Sequence, residues 1–169
     1  LIAGTPSLSI EDISQIDTDR YNVIQSAMPR TFAIYFNQNR SLALRDPAVR
    51  AALQAGIDRD TLVAEVLSGF GTAINSPVPA GFLELPAQTH ASTSTDSLRP
   101  DSILVDGGWV KSDDGSWQKE IDEETVVLQV TITTANTPLF EKTANFVADS
   151  WRTIGVEVQV DQFEQTDLV

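Results

Sequence analysis

A chain of 169 residues with 41 % hydrophobic content is the size of one ordinary domain and can build a core without disulfide or metal staples. Its 24 acidic residues against 11 basic ones give a formal net charge of −13, which repels a phosphate backbone and excludes nucleic acid as an expected partner. The absence of cysteine excludes disulfide and thiol chemistry while leaving the compartment open, and the longest apolar runs break too soon to span a membrane.

The chain opens at Leu1 without methionine or export signal and stops at Val169 just after a strand-like run, so it is expected to be a piece of something longer. Ser9, followed by Asp12, with Ile10, Ile13 and Ile16 spaced by three, predicts a short capped helix. Residues 21–26 and 31–37 are β-like runs separated by Met28-Pro29-Arg30. In the second, Phe32, Ile34 and Phe36 alternate with Ala33 and Tyr35. Asp46-Pro47 opens a helix, since aspartate can cap free amides and proline fits a first turn that needs no donor. Val49, Leu53 and Ile57 form its stripe. Asp58 caps a second helix with Leu62, Val63, Val66 and Leu67 on its apolar face, and Gly69 supplies a left-handed end. A long polar connection at about 75–99 follows, rich in Pro, Ser, Thr and Gly.

Trp109 and Trp117 flank Ser112-Asp113-Asp114-Gly115, which predicts a hairpin turn. Val126, Leu128, Val130 and Ile132 alternate with Val127, Gln129, Thr131 and Thr133, the pattern of one strand buried on one face. Thr137-Pro138 starts a helix with Phe140, Ala144, Val147, Trp151 and Ile154 on its stripe and Gly155 at its end. Val156, Val158 and Val160 then alternate with polar residues in a final strand. Strand, helix and strand in that order form a βαβ unit, so the fold class is α/β with α+β character: a mixed β-sheet with helices packed on it, in a single domain over 1–169.

Chemistry is sparse. The sole histidine, His90, sits in the polar connection without a second metal ligand nearby, and a surface role explains it more simply. Asp113-Asp114-Gly115 lacks the alternating acids of a calcium loop, and Gly69-Phe70-Gly71 lacks the lysine of a phosphate cradle. Glu120, Asp122, Glu123 and Glu124 cluster ahead of a strand, where consecutive side chains diverge and are solvated. A hydrolase would rest on that cluster alone. Trp151 lies on an apolar stripe and reads as core, and hairpin packing accounts for the other two tryptophans. No catalytic residue, metal site or cofactor is expected.

The run Phe36-Asn37, then Leu44-Arg45-Asp46-Pro47-Ala48-Val49-Arg50-Ala51-Ala52-Leu53, then Gly56-Ile57-Asp58-Arg59, resembles the signature of the family 5 extracellular solute-binding proteins. The similarity continues through Val66-Leu67-Ser68-Gly69-Phe70-Gly71, Ser76-Pro77-Val78-Pro79, Ile103-Leu104, Gly107-Gly108-Trp109 and the 151–158 segment, covering nearly the whole chain. Gly56 stands where the family usually has alanine. Pro100 replaces a helical alanine, which predicts a helix of only one or two turns starting there.

The resemblance implies one lobe, the C-terminal one in part, of a two-lobed periplasmic-binding-protein-like (type II) receptor that closes on its ligand by a hinge. It implies the substrate-binding component of an ABC importer, not an enzyme. Such a component is extracytoplasmic (periplasmic or a cell-surface lipoprotein) and touches membrane only through an anchor outside this segment. Its partners would be a peptide or small-molecule ligand, whose binding needs the other lobe, and ABC permease subunits. The alternative is a protein-interaction module that keeps the receptor-lobe fold without binding solute. Carried over from peptide-binding members, Asn37 and the Phe163-Glu164-Gln165 turn lie near the cleft. Asn37 reads equally as a strand-end residue bonding its own loop, and Glu164 and Gln165 as simply exposed.

Overall fold

The structure is a computed structural model that describes residues 12, 13, 15–17, 19–21, 24, 30–74, 99–164 and 166. The chain forms two compact units, Leu1–Phe32 and Ala33–Val169. In the first, Asp12 and Ile13 are helical, the Ile16 amide bonds the Ile13 carbonyl at 3.3 Å, and Asp17 accepts from the Asp19, Arg20 and Tyr21 amides. Ser9 and Ile10 lie outside the described residues, as does most of the expected strand at 21–26, of which Tyr21 and Ile24 are described and are not in a strand.

In the second unit α1 spans Leu42–Arg45, α2 Pro47–Ala55, α3 Arg59–Val66, α4 Pro100–Asp106 and α5 Pro138–Thr153. The strands are β1 Val110–Lys111, β2 Trp117–Ile121, β3 Glu124–Val127, β4 Gln129–Ala135 and β5 Glu157–Phe163. The mixture of pairings is present, but it is divided between an antiparallel sheet ordered β1-β2-β3 and a parallel pair β4-β5.

The caps expected at Asp46 and Asp58 form, while Thr137 makes no side-chain capping bond. Asp46 Oδ1 accepts from the Ala48 amide at 2.8 Å, and Asp58 Oδ1 from the Thr61 amide at 3.0 Å, with Gly56 and Ile57 as the break between α2 and α3. The short α1 ends because Asp46 leaves helical geometry. Its last carbonyls, Leu44 and Arg45, are then taken by Arg50 Nη1 at 2.8 Å each. After α3, Ser68 and Gly69 both turn left-handed, so the reversal expected at the glycine begins one residue earlier. Pro100 does start a two-turn helix, which buries Leu104.

The expected strand at 31–37 is corrected: among the described residues no strand pairs with it, and Tyr35 is 90 % exposed. Alternation says which side chains could be buried, whereas a strand also needs a neighbouring backbone. Phe36 is packed on the core with its ring 6.3 Å from that of Trp151. The strand expected through Leu128 is corrected too. The Leu128 amide donates to the Trp117 carbonyl at 2.7 Å, while its carbonyl accepts from the Glu157 amide at 3.2 Å. Its two backbone groups therefore serve different sheets, and the ladder breaks there.

The three tryptophans are buried, and each indole N–H ties one element to another. Trp109 donates to Asp46 Oδ2 (3.1 Å), Trp117 to the Ile154 carbonyl (2.6 Å) and Trp151 to the Leu53 carbonyl (2.8 Å). Around them Val49, Leu53, Leu104, Leu128 and Val147 complete a core shared by helices and both sheets. Gly107 lets α4 approach α2, since a Cβ there would fall on that of Ala48.

The β1-β2 turn is knitted by Asp114, whose Oδ1 accepts from Ser112 Oγ (2.5 Å), the Ser116 amide (2.9 Å) and Ser116 Oγ (2.7 Å). The Ser112 hydroxyl, followed by the Ser116 donors, lowers the carboxyl pKa from 3.8 to about 2. A carboxyl pKa lower in the fold than in the unfolded chain adds stability above the unfolded value, and that stability is lost as pH falls from 3.8 through about 2. A carboxyl NMR titration should place Asp114 near 2, and Ser112→Ala should raise it. A midpoint at 3.8 in the parent protein would contradict the turn.

The acidic cluster resolves into a second hairpin, with Asp122 (φ 52°) and Glu123 (φ 66°) as a two-residue loop closed by the Ile121–Glu124 pair. Two left-handed residues in such a loop favour Asn or Asp followed by glycine, so Glu123 is the costly one. Glu123→Gly should stabilise the unit by about 0.5–1 kcal/mol, seen as a higher urea midpoint with unchanged slope. A lower midpoint would show that the loop is not left-handed at Glu123.

Candidate functional site

In an open parallel sheet the loops leaving the carboxyl ends of the strands form the customary ligand crevice, because there the chain turns from sheet to helix. Here those ends are Ala135 and Phe163, paired in register at the close of β4 and β5. The Asn136 amide donates to the Phe163 carbonyl at 2.8 Å and carries the pairing one residue past the strand. The Asn136 side-chain amide reaches Glu164 Oε1 at 3.5 Å. Thr137 then sits at the cap of α5 without a side-chain capping bond, and Pro138 begins the helix.

Register decides what faces outward. Val130 and Ile132 pair with Val158 and Val160 on the face belonging to the core, while Thr131, Thr133, Gln159 and Asp161 form a polar opposite face. Phe163 ends that polar face, and 43 % of its surface is exposed. The carboxyl ends thus carry an exposed aromatic and, one residue on, a carboxylate and a carboxamide that reach each other along the same rim. These groups can stack on, accept from and donate to a small polar ligand, and they offer no nucleophile or general base pair.

Phe163 and Glu164 therefore stand together, as their sequence neighbourhood requires, and Gln165 lies outside the described residues. Asn37 is elsewhere. Its Oδ1 accepts from the Asn39 amide at 3.1 Å and its carbonyl from the Arg40 amide at 3.4 Å, the bonding of a residue that closes its own loop. Its neighbour Phe36 packs at Trp151, near the far end of α5, which at 1.5 Å per residue is roughly 20 Å from Asn136. Asn136 was missed from sequence. The signal available was its place between a strand and a Thr-Pro helix start.

Among the other sequence candidates, Asp113 and Asp114 are exposed on a hairpin turn, and Glu120, Asp122, Glu123 and Glu124 are exposed on or beside the next. His90 and nearly all of the 75–99 connection lie outside the described residues. Among the described residues no group of three His, Cys, Asp or Glu side chains is placed to hold a metal, and no helix is long and apolar enough to cross a membrane.

Residues 2–168 match the family described as bacterial extracellular solute-binding proteins, family 5 Middle. The fold is similar to that of the oligopeptide-binding protein AppA from Bacillus subtilis in complex with a nonapeptide (TM-score 0.61, 24 % identity, 77 % of this chain and 26 % of that one). It is also similar to the oligopeptide binding protein from Thermus thermophilus complexed with a pentapeptide (TM-score 0.58, 22 % identity, 75 % and 21 %). NikZ from Campylobacter jejuni in complex with Ni(L-His) is a third (TM-score 0.58, 24 % identity, 77 % and 25 %). No curated protein matches the chain. The matched part of each solved structure is a quarter or so of its length, which makes this the fold of part of one lobe of a type II periplasmic binding protein. With the match running from residue 2 to residue 168, the chain belongs to the family 5 bacterial extracellular solute-binding proteins.

Proposed function

We propose that the chain supplies most of one lobe of the substrate-binding component of an ABC importer, an extracytoplasmic receptor that takes a peptide or similar small solute into a cleft between lobes. The observation that carries the reading is the family match across residues 2–168, joined to a polar, partly aromatic rim at the carboxyl ends of β4 and β5. Asn136, Phe163 and Glu164 are the ligand-facing groups of this lobe. The solute is released to permease subunits in the membrane, and no covalent step is involved.

A cleft divides its contacts between two walls, so the test uses the protein carrying both lobes. Thermal unfolding is followed against peptide, sugar and metal-chelate libraries. A true ligand at 100 times its Kd should add about 2.7 kcal/mol of stability. Phe163→Ala with Glu164→Gln should weaken that ligand about tenfold, or about 1.4 kcal/mol, while leaving the unliganded unfolding temperature in place. No shift with any library would favour a docking module that retains only the receptor fold. A shift unaltered by the double variant would move the site away from this rim.

A further inference from the structure

We draw no further inference here: the strongest candidate, the open depression of about 400 Å³ between α3 and α5 lined by Asp58, Glu65, Phe146 and Asp149, is a cluster of acidic side chains beside which nothing in the structure points to a ligand.

Discussion

Truncating Trp151 to alanine is expected to cost the Ala33–Val169 unit about 3–5 kcal/mol, as emptying a tryptophan-sized site in a packed core does. The side chain lies on the inner face of α5, next to buried Val147 and Ala148, and its N–H reaches across to the Leu53 carbonyl at the C-terminal part of α2. Two effects are superimposed there, a volume and a hydrogen bond, and Trp151→Phe separates them. Phenylalanine keeps a ring beside Phe36 but leaves the Leu53 carbonyl without its donor, which should cost about 1–2 kcal/mol on top of a smaller cavity term. Urea unfolding followed by far-ultraviolet circular dichroism reads both variants. A loss under about 1 kcal/mol for the alanine variant would mean that α5 is not clamped to α2.

Asp46→Ala is expected to cost about 2–4 kcal/mol, because one carboxylate closes three connections. Oδ1 caps α2, and Oδ2 accepts from Trp109 Nε1 and from Lys119 Nζ, the latter at 2.7 Å, with 11 % of the aspartate side chain exposed. Lys119 Nζ also donates to the Gly107 carbonyl at 2.7 Å, so the same knot fastens α4 to β2. Asp46→Asn keeps a capping oxygen and should lose less, and a double-mutant cycle with Lys119→Met isolates the ion pair.

Burial pushes the Asp46 pKa up, but the bonds from Lys119, the Ala48 amide and Trp109 together outweigh it and hold the carboxyl below its ordinary value. A lowered folded-state pKa contributes stability that is complete above the unfolded value and disappears as pH falls through the folded one. The acid limb of the stability curve should therefore be shallower in Asp46→Ala than in the parent. An unchanged acid limb would show that the carboxylate is not tied into the junction.

Asp46 illustrates what could be read ahead of the fold. Asp-Pro before an apolar stripe announces a capped helix, because the cap is a bond between residues two apart and needs nothing from elsewhere. That Oδ2 of the same residue receives donors from Trp109 and Lys119, 63 and 73 positions away, is invisible in such local pattern. The rim is similar. Phe163 and Glu164 came from the resemblance, whereas Asn136 needed the parallel register that sets Ala135 opposite Phe163. Asn37, included by the same resemblance, bonds within its own loop.

Sequence by itself determined the starts of α2, α3, α4 and α5, the left-handed Gly69 and Gly155, the βαβ order of the C-terminal third and the family. These follow from backbone dihedral preferences, caps within a few residues and side-chain periodicity, all short-range properties. Tertiary structure alone decided that Leu128 divides two sheets, that residues 33–37 pair with no described strand, and which polar residues share a rim. Each of those depends on which distant backbone comes alongside, and the energy of that choice lies in the common core of three tryptophans rather than in any one segment.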